Sequence, residues 1–169
     1  MDIIKNFYSR SSNDTIKSLI AENNIICENC IEEKQLNKHI RYLQMCKIWS
    51  DNSYATRLKV GSLLVKNGNI ISDGYNGTPS GMPNITEDET GNTYWYTLHA
   101  EANCILKAAK NGNRTDDSIL YITSSPCKEC SKLIIQSGIT AVIFSDFYRD
   151  LEGLDTLNKI GISLIYIKI

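Results

Sequence analysis

The sequence of 169 residues has neither a long apolar run nor an excess of charge of one sign. No apolar stretch approaches the ~18 residues that span a membrane, so no membrane partner is expected. Lys plus Arg number 18 and Asp plus Glu number 19, and a net charge of −1 excludes a strongly basic surface that coats nucleic acid. The first residues lack the charged segment and apolar stretch of a signal peptide, so we expect a soluble, cytoplasmic protein.

Internal repeats and low-complexity segments are absent as well. A hydrophobic fraction of 42% and a charged fraction of 22% are ordinary globular values. A chain of this length can bury a core without disulfides. Its cysteines therefore indicate metal binding or catalysis rather than a disulfide framework. They are Cys27, Cys30, Cys46, Cys104, Cys127 and Cys130.

Residues 1–37 differ in composition from the rest of the chain, being rich in Asn, Ser and Glu. Ile16, Leu19 and Ile20 fall at the spacing of one helical face, which predicts a helix near 14–22. We therefore predict an N-terminal helical extension of unknown role over 1–37 and one larger domain over 38–169.

Within the larger domain, apolar periodicity and turn residues predict helices that alternate with strands. Helices are predicted over 38–51, 126–136 and 150–160 and within 94–111, and strands over 60–65, 70–75, 119–123, 141–145 and 162–167. An Asn-Gly pair at 67–68 is typical of a hairpin turn, and Pro126 is expected in the first turn of its helix. This order predicts an α/β layered fold with a partly parallel sheet. The residues predicted to face the core are Ile40, Leu43, Met45, Cys46, Trp49, Leu98, Ala102, Ile105, Leu106, Ala109, Leu133 and Ile134.

Two predicted helix starts carry residues that suit a metal. His99 lies at one, and Cys127 and Cys130 lie at the other. Cysteines three residues apart present both sulfurs on one face of a helical turn, and the positive helix N-terminus favours their thiolates. Two sulfurs and one nitrogen suit zinc, and three protein ligands leave the fourth tetrahedral position open, as in catalytic sites.

Glu101 lies two residues after His99, within reach of a metal-bound water but not itself a ligand. Two thiolates cancel the charge of Zn²⁺, so a base that takes the proton from water is useful beside them. The same carboxylate could deliver the proton to a substrate nitrogen. The residues therefore indicate hydrolytic deamination, in which water replaces an amino group and ammonia leaves.

His-x-Glu followed by Pro-Cys-x-x-Cys is the signature of zinc-dependent deaminases. From about residue 38 to 169 the sequence resembles the cytidine/deoxycytidylate deaminase superfamily. The segment Gly-Tyr-Asn-Gly-Thr-Pro-Ser-Gly at 74–81 narrows the resemblance to the deoxycytidylate (dCMP) deaminases. Further segments that carry the resemblance are 53–61, 99–103, 125–130 and 148–153.

The resemblance implies a three-layer α/β/α sandwich around a mixed five-stranded sheet, in a zinc-dependent deaminase domain over 38–169. It implies conversion of dCMP to dUMP, a precursor of thymidylate. Asn76 and Tyr148 would belong to the nucleotide pocket, and Arg57 would contact the phosphate with its bidentate fork.

The resemblance also implies regulation and assembly. Many members are hexamers that dCTP with Mg²⁺ activates and dTTP inhibits, so a homo-oligomer with nucleotide effectors is expected. Residues 82–98 contain no Cys or His, so we do not expect the second, structural zinc of some relatives. Lys110 stands where some regulated members have arginine, which weakens the case for regulation. The effector site would match Gly74, Tyr75, Gly77, Thr78, Pro79, Ser80 and Gly81.

Other interpretations of single motifs remain open. Cys27 and Cys30 form another Cys-x-x-Cys pair, for which free thiols are favoured over a small zinc site completed by Cys46 or His39. Cys104 is expected in the core. The aromatic run at 94–96 could stack on a base, or it could pack within the protein or against another subunit.

Two other functions compete with dCMP deamination. The first is deamination of another cytosine nucleotide or nucleoside, such as dCTP or cytidine. The second is a non-catalytic nucleotide-sensing protein on the same fold. Glu101 counts against the second, because a purely structural zinc site has no use for a proton shuttle.

Overall fold

The computed structural model describes residues 25–27 and 31–169. The helix predicted near 14–22 lies outside these residues, as do Cys30 and the side chain of Cys27. The strands are β1 (Ile26–Cys27), β2 (Gly61–Lys66), β3 (Asn69–Tyr75), β4 (Ile119–Ser124), β5 (Ala141–Asp146) and β6 (Ser163–Tyr166). The helices of the described part are α1 (Glu33–Ser50), α2 (Ala100–Lys110), α3 (Lys128–Gln136) and α4 (Glu152–Lys159).

The strands form one mixed sheet in the order β1-β6-β5-β4-β2-β3. Strands β4, β5, β6 and β1 run parallel, and β2 is antiparallel to both β3 and β4. The predicted mixed sheet of five strands is confirmed as β2 to β6, and the two-residue β1 adds a short sixth strand at one edge.

Helices cover both faces of the sheet, which confirms the three-layer α/β/α sandwich. On one face α2, α3 and α4 contribute Cys104, Ile134 and Leu154 to the larger buried core. On the other face α1 contributes Leu43 and Cys46 to a smaller core. The site described below lies on the face that α2, α3 and α4 cover.

The turn between β2 and β3 has the conformation that its sequence predicts. Asn67 and Gly68 both have positive φ, at 52° and 79°. Two consecutive left-handed residues make the two-residue turn whose twist matches the flanking strands. The hairpin prediction is therefore confirmed.

Helix α1 begins earlier than its apolar pattern predicts, at Glu33 rather than at 38. The proposed boundary between residues 37 and 38 consequently falls inside α1, and the division into an N-terminal extension and a larger domain stays a prediction. Several residues predicted to face the core are exposed instead, so their assignment to the core was wrong. They are Met45, Trp49, Leu106, Leu133 and Ala109.

The buried stripe of α2 consists of small residues instead of large apolar ones. Ala100, Cys104 and Ala108 recur every fourth residue and are fully buried. Small side chains on this face let the helix lie close to β3, while the larger Leu106 points to solvent. The prediction for Leu106 failed because it assigned large apolar residues to the core without regard to the close contact between α2 and β3.

Two glycines allow close contacts between elements. A Cβ on Gly74 of β3 would lie 2.3 Å from the carbonyl oxygen of Ala100 in α2. A Cβ on Gly153 of α4 would lie 2.2 Å from the carbonyl oxygen of Pro126. Any larger residue would have to displace backbone at these points, so the glycines determine where α2 and the start of α3 lie.

The face under α1 contains a polar pair within its apolar surroundings. Nδ1 of His39 is 2.8 Å from the hydroxyl of Tyr121, which is 1% exposed. Burial raises the pKa of the Tyr121 hydroxyl above its usual range, so it stays neutral. Cys46 on the same face is fully buried, and Cys104 is buried on the opposite face, which confirms the core prediction for Cys104. Cys30 and the side chain of Cys27 lie outside the described residues, so the preference for free thiols over a small zinc site there stays a prediction.

Among the described residues no helix combines the length and the apolar character that crossing a bilayer requires.

Candidate metal and active site

The site lies where the N-termini of α2 and α3 meet. His99 is the N-cap of α2 and Cys127 is the N-cap of α3, and both have extended backbones. Cys130 follows in the first turn of α3. Pro126 precedes the N-cap, so its predicted place in the first turn was wrong: the helix starts only after the extended Cys127.

The three predicted ligands form one tight cluster. Nδ1 of His99 is 3.5 Å from Sγ of Cys127 and 3.5 Å from Sγ of Cys130. All three donor atoms lie within 4.8 Å of one another. In a tetrahedral zinc site with Zn–S of ~2.3 Å and Zn–N of ~2.05 Å, sulfur and nitrogen are about 3.6 Å apart. The donor set and its spacing therefore fit Zn²⁺.

Hydrogen bonds within the cluster favour a thiolate at one cysteine. The bond from Cys130 lowers the pKa of the Cys127 thiol to about 4. The same bond, together with burial, raises the pKa of Cys130 far above its usual range. The bond to Cys127 also raises the pKa of His99. A divalent metal bound to the cluster would keep both sulfurs deprotonated and the imidazole neutral.

Glu101 lies beside the cluster without being one of its donors. Its side chain is 4% exposed, and burial raises the pKa of its carboxyl group to about 7. The carboxyl group also hydrogen-bonds with the thiol of Cys130. A carboxyl group with a pKa near neutrality can both accept and donate a proton, which is the property a proton shuttle needs.

A cavity opens from this cluster toward the surface. It brings the metal ligands His99 and Cys127 and the carboxyl group of Glu101 together with the three predicted substrate residues. Sequence reasoning thus placed residues from distant parts of the chain around one space. The lining residues are Arg57, Leu58, Val60, Asn76, Glu87, Thr93, Thr97, His99, Ala100, Glu101, Ser124, Ser125, Cys127 and Tyr148.

The amide of Asn76 holds the loop between α1 and β2. Its Oδ1 accepts the N–H of Val60 at 2.8 Å, and its Nδ2 donates to the carbonyl of Leu58 at 2.9 Å. The backbone carbonyl of Asn76 accepts the hydroxyl of Ser53 at 2.7 Å. The donor and acceptor predicted to serve a nucleotide are thus bonded to backbone, and direct substrate contact stays a prediction.

Tyr148 and Arg57 reach the cavity from two loops. The N–H of Tyr148 donates to Oγ of Ser125 at 2.8 Å, which ties the loop after β5 to the segment before α3. The guanidinium of Arg149 lies 5.8 Å from the centre of the Tyr148 ring. Nη1 of the exposed Arg57 donates to the carbonyl of Gly91 at 3.2 Å. Their substrate roles stay predictions.

The glycine-rich segment divides into a buried and an exposed part. Gly74 is enclosed beneath α2, and Gly77 exchanges two backbone hydrogen bonds with Leu98, at 3.0 and 2.8 Å. That exchange fixes the chain just before His99. Ser80 and Gly81 are exposed. The effector role assigned to the segment stays a prediction.

Sequence reasoning missed part of the cavity wall. Glu87, Thr93 and Thr97 come from the polar stretch between β3 and α2, which has no periodicity that marks function. Ser124 and Ser125 precede the cysteine motif, and only their proximity to it in sequence could have signalled them. Of the aromatic run at 94–96, Tyr94 and Tyr96 stack with centroids 5.1 Å apart, and Trp95 is 93% exposed.

Comparison with known proteins agrees with this geometry. Residues 36–146 match the family model of the cytidine and deoxycytidylate deaminase zinc-binding region. The chain is 31% identical over 157 residues to the deoxycytidylate deaminase of Enterobacteria phage T2, covering 68% of this chain and 84% of that one. It is 40% identical over 103 residues to the human deoxycytidylate deaminase, covering 56% of this chain and 57% of that one.

A solved structure extends the likeness to three dimensions. The dCMP deaminase from the cyanophage S-TIM5, solved in complex with dCMP and dUMP, superposes with a TM-score of 0.75 and 38% identity. The alignment covers 80% of this chain and 98% of that one. Sequence, fold and metal-binding geometry therefore agree, and the chain belongs to the cytidine and deoxycytidylate deaminase family with its zinc-binding region.

Proposed function

We propose that this protein converts dCMP and water to dUMP and ammonia. The observation that carries the proposal is the place of Glu101: a buried carboxyl group, beside three metal ligands, at the inner end of a cavity. The cavity's outer part holds an arginine and a tyrosine. A site built only to stabilise the fold would need neither the carboxyl group nor the open cavity.

His99, Cys127 and Cys130 would hold zinc, and zinc when bound supplies a Lewis acid that lowers the pKa of water. Glu101 accepts a proton as water adds to C4 of the cytosine ring, and delivers it to N3. Glu101 then takes the proton of the new C4 hydroxyl and passes it to the amino nitrogen, so that the C4–N bond breaks, ammonia leaves and a carbonyl forms at C4. The pKa of Glu101 near neutrality suits both directions of transfer.

The outer part of the cavity supports a nucleotide rather than a free base. Arg57 carries a planar cation suited to phosphate, and Tyr148 offers a ring and a hydroxyl beside it. Asn76 borders the same space. The relatives named for deoxycytidylate, and the S-TIM5 structure with dCMP and dUMP, support the monophosphate as the substrate.

Regulation and assembly are further parts of the proposal. By family likeness, dCTP with Mg²⁺ would activate the enzyme, dTTP would inhibit it, and the protein would assemble as a hexamer. The exposed part of the glycine-rich segment, at Ser80 and Gly81, would be free to contact an effector.

The direct test is ammonia release by the zinc-loaded protein from dCMP, dCTP, deoxycytidine and cytidine. Each substrate is assayed with and without dCTP–Mg²⁺ or dTTP, except where the effector is itself the substrate. We expect dCMP to have the highest kcat/KM. Faster turnover of another substrate would contradict the substrate assignment, and no turnover of any would contradict the activity. Effects of dCTP and dTTP on the rate test the regulation separately, and light scattering tests the hexamer.

A further inference from the structure

The stretch between β3 and α2 contains a small hairpin without regular strands. Glu87 and Thr93 pair as an isolated antiparallel bridge, and the N–H of Asp88 donates to the carbonyl of Asn92 at 2.9 Å. Oδ1 of Asp88 accepts the N–H groups of Thr90 and Asn92, both at 2.9 Å. A carboxylate that caps its own loop in this way gives the segment 87–93 a defined shape.

Glu87 connects this hairpin to the loop between α1 and β2. Its Oε2 accepts the N–H of Thr56 at 3.1 Å and the hydroxyl of Thr86 at 2.6 Å. The hydroxyl of Thr56 lies 3.3 Å away. Burial acts to raise the pKa of Glu87, but these donors outweigh it and lower the pKa below its usual range. Glu87 is therefore an anion that binds the backbone N–H of Thr56, the residue before Arg57.

The same hairpin also holds the side chain of Arg57. Nη1 donates to the carbonyl of Gly91, which lies in the turn of the hairpin, at 3.2 Å. The hairpin thus holds this part of the loop twice, through Glu87 at the backbone of Thr56 and through Gly91 at the guanidinium of Arg57. Both Arg57 and Glu87 line the cavity that leads to Glu101.

A second tether acts on the other end of this loop. Asn76 binds the carbonyl of Leu58 and the N–H of Val60. The loop residues between the two tethers are exposed and belong to no helix or strand. Without hydrogen bonds at both ends, the backbone that carries Arg57 would be free to sample many conformations.

We infer that Glu87 is a positioning residue, which holds the loop carrying Arg57 so that its guanidinium meets the phosphate of the substrate. The inference rests on the proposed function for the identity of that phosphate. Glu87 itself contacts neither the base nor the metal. Its removal therefore weakens substrate binding and leaves the chemical step to Glu101.

The test compares Glu87→Ala, Glu87→Gln and Glu89→Ala in the zinc-loaded full-length protein. Glu89→Ala removes the same charge from an exposed position of the same hairpin and serves as the control. We expect Glu87→Ala to raise KM for dCMP about tenfold, as when one charge-assisted hydrogen bond is lost, with kcat nearly unchanged. Glu87→Gln keeps an acceptor oxygen and should recover most of the loss, and Glu89→Ala should equal the wild type.

A double-mutant cycle with Arg57→Ala separates positioning from general stability. If Glu87 acts through Arg57, then Glu87→Ala has no further effect on KM once Arg57 is alanine. Additive effects, a fall in kcat instead of a rise in KM, or an unchanged KM of Glu87→Ala would overturn the inference.

A wild-type protein without activity on dCMP would overturn the proposed function instead. Calorimetric binding of inorganic phosphate to the same variants would then decide the positioning role, with weaker binding expected for Glu87→Ala and unchanged binding overturning it.

Discussion

The two halves of the cavity are held in place in different ways. At the inner half, His99, Cys127 and Glu101 lie at helix ends that pack against the sheet, and close backbone contacts at Gly74 and Gly153 determine their positions. At the outer half, Arg57 and Tyr148 lie on loops.

Polar side chains, and not the core, hold the loops of the outer half. Glu87 and Asn76 bind the loop of Arg57, and Ser125 binds the loop of Tyr148. The difference teaches that the positions of the metal-binding cluster and Glu101 depend on packing, whereas the positions of Arg57 and Tyr148 depend on a few hydrogen bonds. Changes in the inner half should therefore affect metal content and stability, and changes in the outer half should affect KM alone.

The largest effect is expected from Cys127→Ser. Replacing this sulfur should remove zinc, abolish deamination and lower Tm, because part of the metal-binding free energy is folding free energy. Metal analysis and thermal unfolding measure the two effects. Cys104→Ala, which removes a buried thiol that is not a donor of the cluster, should keep its zinc. A stable Cys127→Ser protein with full zinc content would show that Cys127 is not a ligand.

Glu101→Gln should leave the metal and remove the proton shuttle. We expect kcat to fall at least about a thousandfold, within the range attributed to general acid–base catalysis. Zinc content should stay at the wild-type level, because the carboxyl group is not a donor. Loss of zinc from this variant would refute the separation of the shuttle from the ligands.

Gly153→Ala tests whether packing holds the inner half. The added methyl group would meet the carbonyl oxygen of Pro126, and moving that backbone should destabilise the protein by about 1–3 kcal/mol and weaken zinc binding. Gly77→Ala is the matched control, because its Cβ would meet only a ring edge of Tyr75 at 3.7 Å. Denaturant unfolding and competition with a chelator measure both. Equal effects of the two substitutions would argue against a special role for the contact at Gly153.

The smallest effect is expected from Arg57→Lys in the outer half. Lysine keeps the charge but loses the planar fork, so KM for dCMP should rise several-fold, roughly up to tenfold. Tm and zinc content should not change, because Arg57 is exposed and distant from the packing contacts. A lower zinc content in the Arg57→Lys protein would contradict the proposed independence of the two halves of the cavity.

The sequence predicted the inner half far better than the outer half. His99 and Glu101, like Cys127 and Cys130, lie within one short motif at one helix start, where helix geometry arranges the side chains of each pair. The exposed Leu106 and Leu133 show the limit of apolar patterns, since the close contact at Gly74 depends on a strand far away in sequence. Glu87 could not be predicted at all, because its function follows from hydrogen bonds to a loop 31 residues earlier.

The short strand β1 has a consequence for how this chain can be shortened. Ile26 and Cys27 pair with Ile165 and Tyr166 at the edge of the sheet. Removing residues 1–37 would leave the N–H and C=O groups at the edge of β6 without a partner strand. An unpaired parallel edge accepts strands from other molecules and so promotes self-association. Within the described residues, Ile26 and Cys27 therefore cover the edge of β6, and without them that edge, on the side of the sheet opposite β3, would be exposed.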